Sequence, residues 1–227
     1  MSGRVATLGV GLFGLAVTAT TLSCGSGGNA QLRVLQGSPN EPTLQVLIDG
    51  TTIVSNLAFQ ANTGYQTEKS GSHQFVMEAS GSTANLVPSA DQTLNLGGST
   101  QSTFILAGYS SSLSGILLSD DTTTPTNSGI NLRIVNAAPS IAGADIYVVP
   151  SGATLSGTPT ISDLTFGSAS SYQSLAAATY TVYFTEPGTL LSYYDTGSIT
   201  FTANQNRTIV LLSGPGSLTS VTLADLN

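Results

Sequence analysis

The chain contains the same sequence twice, and nothing else in it constrains the fold as strongly. Leu32-Arg33-Val34 returns as Leu132-Arg133-Ile134, and Ser38-Pro39 returns as Ala138-Pro139. Asn56-Leu57-Ala58-Phe59 reappears as Asp163-Leu164-Thr165-Phe166, Tyr65 as Tyr172, and Ile105-Leu106-Ala107-Gly108 as Leu211-Leu212-Ser213-Gly214. Across these matches the offset drifts from 100 to 107 and back to 106, so loops changed length while the elements kept their order. A period of about 100 residues is too long for a solenoid repeat and suits one small β domain. The duplication therefore speaks to architecture and is silent on activity.

Within each copy the hydrophobic pattern has a period of two. Leu44, Val46 and Ile48 share one face, with Gln45 on the other, and Asp49-Gly50 follows before Thr51-Thr52-Ile53-Val54. Asp-Gly suits the positive φ angles of a two-residue type I′ turn, which predicts a hairpin. Tyr180, Val182 and Phe184 alternate with Thr181, Tyr183 and Thr185, and their counterparts are His73, Phe75 and Met77. Leu94 and Leu96 match Ile199 and Phe201, and Ile116 and Leu118 match Val221 and Leu223, ending at Asp120 and Asp225. No stretch sustains apolar residues at helical spacing with caps. The expected fold is all-β: two tandem immunoglobulin-like β-sandwich domains after an N-terminal signal segment. The repeats are placed at residues 31–121 and 130–227, with the polar, proline-containing stretch 122–129 as linker.

The first residues read as an address. Arg4 is followed by an apolar or small run from Val5 to Thr20, too short for a spanning helix, which needs about 20 residues. Leu22-Ser23-Cys24 then resembles the lipobox of bacterial lipoproteins, with Thr21 where that pattern usually has leucine. Residues 1–23 are thus expected to be a lipoprotein signal peptide, Cys24 the lipidated residue and 24–30 a flexible tether. An ordinary secretory leader and an uncleaved anchor are the alternatives. Cys24 is the only cysteine, so an intrachain disulfide is excluded. By analogy with known lipoproteins, Gly25 after the cysteine favours the outer membrane or cell surface of a bacterial envelope.

Charge narrows the partners. Charged residues make up 7% of the chain and the formal net charge is −7. Beyond Arg4 the cations are Arg33, Lys69, Arg133 and Arg207, too few to neutralise a run of phosphates, so nucleic acid is not expected as a partner.

The strings Leu32-Arg33-Val34, Ser38-Pro39, Leu44 to Gly50, Asn56 to Phe59 and Tyr65 resemble the bacterial domain of unknown function (DUF) 4397 family. The second copy resembles it further at Leu132 to Pro139, Ala144 to Val148 and Ala178 to Val182. Leu35-Gln36-Gly37 and His73 depart from the family pattern. The resemblance implies exported or surface-attached β domains, often in tandem, and supplies no catalytic residues.

The candidate chemistry is sparse. His73 is the only histidine and aligns with Tyr180, so it is read as filling a half-buried aromatic position. Asp195-Thr196-Gly197 has the form of an aspartic-protease loop, but no second such triplet supplies the partner carboxylate. Asp49, Asp120, Asp121 and Asp145 lack the close spacing of a calcium loop and are read as turn and linker acids. No catalytic residue, metal site or cofactor is expected. Tyr109, Tyr193 and Tyr194 are the possible partner contacts, since tyrosine offers an apolar face and a hydroxyl. Tyr193 and Tyr194 are neighbours, so one points inward. The expected function is non-enzymatic: a lipid-anchored cell-envelope protein, attached to the membrane through its N-terminus, that displays two modules for adhesion, scaffolding or recognition of an envelope polymer or protein. The alternative is a lipoprotein that captures a specific carbohydrate or peptide, which a shared groove lined by these tyrosines would favour.

Overall fold

The computed structural model describes residues 27–226; Cys24 and the expected signal segment lie outside the described residues. The first copy comprises β1 (Asn29–Gln36), β2 (Leu44–Ile48), β3 (Thr51–Leu57), β4 (Gln66–Lys69), β5 (Gly71–Ala79), β6 (Thr93–Leu96), β7 (Gln101–Tyr109) and β8 (Ser112–Asp120). The second comprises β9 (Ile130–Asn136), β10 (Gly143–Pro150), β11 (Ile161–Thr165), β12 (Ser168–Ala169), β13 (Gln173–Leu175), β14 (Thr179–Thr185), β15 (Ser192–Thr200), β16 (Gln205–Ser213) and β17 (Leu218–Leu226). Each copy is a sandwich of two sheets. In the first, β4-β1-β7-β8 faces β3-β2-β5-β6; in the second, β12-β9-β16-β17, with β13 also on β9, faces β11-β10-β14-β15.

Local sequence accounts for much of this. Asp49 and Gly50 both take positive φ, 49° and 76°, and close the β2–β3 hairpin as a type I′ turn requires. His73 lies opposite Leu94 on β6, and Tyr180 lies opposite Ile199 on β15, the same register in both copies. Strand β1 begins at Asn29, two residues inside the expected tether.

Each copy closes its own core. Leu32, Val34, Phe75, Met77, Phe104 and Leu106 are fully buried in the first, with the Phe75 and Phe104 rings edge-to-face at 4.7 Å. Leu132, Ile134, Val182, Phe184, Ile209 and Leu211 are fully buried in the second.

A third core lies between the copies. Leu35, Ile105, Ala107, Ile116 and Leu118 pack with Val135, Ala137, Val210, Leu212 and Leu223. These residues alternate with those of the two inner cores along the same strands: Phe104 and Leu106 point inward, while Ile105 and Ala107 point to the other copy. Strands β1, β7, β9 and β16 are therefore buried on both faces. They pair in parallel within each copy, Val34 opposite Phe104 and Ile134 opposite Ile209, a pairing suited to strands covered on both sides. The result is four stacked sheets. The linker is also tied down, since the Asn206 side-chain amide donates to the Asp121 and Thr123 carbonyls at 2.7 and 2.9 Å.

Candidate functional site

The densest cluster of charged groups sits in the inter-copy core, and every member has a counterpart in the other repeat. Arg33, Asp120, Thr103 and Tyr65 correspond to Arg133, Asp225, Thr208 and Tyr172. The two arginines are each paired with the carboxylate of the opposite copy. Arg33 Nη2 donates to Asp225 Oδ1 at 2.5 Å, and Arg133 Nη2 donates to Asp120 Oδ1. The Nη1 nitrogens reach across as well, Arg33 Nη1 to the Ala224 carbonyl and Arg133 Nη1 to the Ser119 carbonyl, both at 2.8 Å, while each Nε donates to the threonine of its own copy.

Within each copy, threonine and tyrosine complete the carboxylate. Thr103 and Tyr65 donate to Asp120 Oδ2 at 2.6 and 2.8 Å, and Thr208 and Tyr172 donate to Asp225 Oδ2 at 2.6 and 2.9 Å. Arg33 lies 4.5 Å over the Tyr65 ring and Arg133 lies 4.7 Å over the Tyr172 ring. Burial, followed by the charge of Asp120 or Asp225, pushes each phenol well above its ordinary range, so both hydroxyls remain donors. Both carboxylates are wholly buried and the guanidiniums nearly so. Two positive and two negative charges cancel, and nearly every donor and acceptor is engaged. This arrangement holds two surfaces together.

In the sequence these residues stand out only as a few cations, strand-end acids and repeat landmarks. One expectation is corrected. Arg33 and Arg133 are neighbours in space, and Asp120 is an ion-pair partner where a turn or linker acid was expected. The available signal was an arginine inside an apolar strand at the same place in both repeats, with an acid ending both last strands.

His73 lies on β5, nearly buried, as its alignment with Tyr180 implied. Its Nδ1 is 2.8 Å from Asp49 Oδ2, and its Nε2 is 2.7 Å from the Lys69 carbonyl. Both neighbours are acceptors, so the geometry is satisfied fully by the doubly protonated ring. Burial works against that charge, but the bonds to Asp49 and Lys69 outweigh it and raise the His73 pKa; the same contact lowers Asp49. Asp195 and Asp145 serve turns. Asp195 Oδ1 accepts the Gly197 amide at 2.9 Å, and Asp145 accepts the amides of Asp163 and Gly188, both at 2.7 Å. Among the described residues no group of three or more His, Cys, Asp or Glu could hold a metal ion. Among them also, no helix is long and apolar enough to cross a membrane.

The tyrosines divide. Tyr193 is exposed, whereas Tyr194 turns inward against Phe184, ring centroids 6.0 Å apart, and its hydroxyl meets Ser220 Oγ at 3.0 Å. Tyr194 is therefore a packing residue in this arrangement, because strand alternation gives the solvent face to its neighbour. Tyr109 and Tyr193 come from different copies but line two adjoining depressions that share Ser140. Tyr109 borders a hollow of about 260 Å³ with the Ser213–Leu218 hairpin, between the copies. Tyr193 borders one of about 620 Å³ with Ile141, Asp163, Glu186 and Pro187.

A family model described as a domain of unknown function (DUF4397) matches residues 30–147 and again 131–227. The first match runs past the first copy into the opening strands of the second. No curated protein sequence matches the chain significantly. Among solved structures, the C-terminal domain of AlgF from P. aeruginosa is similar over 43% of this chain and 99% of that chain, at 12% identity and a TM-score of 0.31. The Bacillus anthracis TIE protein is similar over 82% of this chain at 9% identity and a TM-score of 0.26, and this chain spans 34% of it.

Proposed function

The chain belongs to the DUF4397 family, and on that premise we propose that it is a non-enzymatic display protein of the bacterial envelope, held at a membrane by lipid on Cys24 and presenting its two sandwiches as one rigid body. The observation that carries this reading is the buried Arg–Asp clamp. It commits two arginines and two buried carboxylates to joining the copies, and an apolar core extends the joint. A rigid body suits presentation of a surface at a fixed orientation. His73 has both ring nitrogens engaged in a turn, which argues for a structural role. The lipid attachment rests on the sequence Leu22-Ser23-Cys24 after the apolar run.

Fractionation tests the anchor. The wild-type chain expressed in a bacterial host is expected in the membrane pellet and to take up labelled palmitate, whereas Cys24→Ser is expected to lose both. A Cys24→Ser protein that still sediments with membranes overturns lipid attachment. The tyrosine-lined hollows shared across Ser140 favour the recognition role over a purely mechanical scaffold, because depressions with a few polar groups are where ligands dock.

A further inference from the structure

The surface around those hollows has a composition that selects its partner. Strands β1 and β7 are parallel, so the Tyr109 end of β7 lies beside the Gln36 end of β1, away from Asn29. The corresponding end of the second copy meets it there, since a Cβ on Gly37 would touch Leu212 at 2.9 Å and Gln60 Nε2 bonds Thr219 Oγ1 at 3.3 Å. Four of the five large apolar or aromatic side chains exposed among the described residues gather at this end: Tyr109 at 40%, Leu190 at 48%, Leu191 at 65% and Tyr193 at 40%. The larger hollow has Asp163 and Glu186 in its wall beside the Tyr193 ring. The described cations lie elsewhere. Arg33 and Arg133 are buried between the copies, Lys69 lies beside His73, and Arg207 donates to the Leu226 carbonyl.

Carboxylates and an aromatic face in one concave site attract an ammonium or guanidinium group and repel anionic polymers. The site is also held in shape. Asp145, 5% exposed, accepts the Asp163 and Gly188 amides, bracing both β11, which carries Asp163, and the β14–β15 loop, which carries Glu186. Gly143 gives the Asp163 carboxylate its room, since a Cβ there would lie 2.6 Å from Asp163 Oδ1. The geometry points to a docking site for a basic protein segment: a lysine or arginine enters the hollow between Tyr193, Asp163 and Glu186, and an adjacent apolar side chain covers Leu190 and Leu191. The charge complementarity favours a basic occupant, and the exposed leucines favour a peptide over an amino sugar. This deepens the recognition role proposed above, and its test is independent of the anchor, which fractionation reads separately.

The test is fluorescence anisotropy on the full chain in non-ionic detergent. The probes are a dye-labelled leucine–lysine–leucine peptide flanked by glycine and serine, its leucine–glutamate–leucine counterpart, and labelled cellohexaose. The lysine peptide is expected to bind and to weaken as salt rises, and the glutamate peptide is expected not to bind. Asp163→Asn with Glu186→Gln should weaken the lysine peptide about tenfold. Tyr193→Ala should weaken it too. Glu186→Lys should move the preference toward the glutamate peptide, a gain that a misfolded variant cannot produce. Equal binding of the two peptides, binding indifferent to the Glu186 and Tyr193 changes, no binding of the lysine peptide, or binding of cellohexaose in its place each overturns the proposal.

Discussion

Asp225 and Arg33 show how much a single buried group can matter here. Removing one partner leaves the other charge buried without its counter-ion, whereas removing both with apolar replacements is often nearly neutral. Asp225→Asn or Asp120→Asn is therefore expected to lower stability by about 3–5 kcal/mol. Arg33→Met combined with Asp225→Leu should recover most of that loss, and urea denaturation of the three variants checks the cycle. His73 provides the pH dependence. Its folded pKa is raised, so its contribution is fully present below the ordinary histidine value and is lost as pH rises through the folded pKa. Asp49 is lowered, so its contribution is present above the ordinary carboxylate value and is lost as pH falls through its folded pKa. The melting temperature should decline as pH rises above the ordinary histidine value, and His73→Phe should flatten that decline. A profile unchanged by His73→Phe would refute it. The semi-buried aromatic role of His73 was legible from its alignment with Tyr180. Its partner was not, because nothing in the spacing from Asp49 to His73 shows that a hairpin turn folds back onto β5.

At the level of the strand, alternation was the reliable guide wherever one face meets solvent. It placed β2, β5 and β14, and the Asp-Gly turn followed from two adjacent residues. The doubly buried strands carried a different signal, continuous apolar runs such as Phe104 to Ala107 and Ile209 to Leu212, which are also consistent with an ordinary core strand. Gly37 reports how closely β1 approaches its neighbours. A Cβ there would lie 2.9 Å from the Leu106 carbonyl and 2.9 Å from Leu212 Cδ2. Gly37→Val should cost about 1–3 kcal/mol by overpacking, and Leu212→Ala about 2–5 kcal/mol by opening a cavity. Together they should cost less than their sum, since the valine fills space that the leucine vacates. Chemical denaturation measures all three.

On the scale of the whole molecule, the third core and the exchanged ion pairs join two repeats that the sequence presents as beads on a linker. Heating is expected to unfold both in one cooperative transition, with calorimetric and van't Hoff enthalpies in agreement. Ile105→Lys, which places an unpaired charge between the copies, should split that transition in two; two transitions in the wild type would show the copies to be independent. The sequence by itself determined that there are two units, that both are all-β, where the Asp49-Gly50 hairpin turns and which residues share a face on strands such as β2, β5 and β14. Those properties depend on near neighbours along the chain and on alternation, which local order records. Only the tertiary structure decided that the copies stack, that Arg33 finds Asp225 across 192 positions, and that Tyr193 rather than Tyr194 meets solvent. Which buried surfaces meet depends on complementary shape and on cancelling charge between distant segments, and no local pattern encodes that pairing.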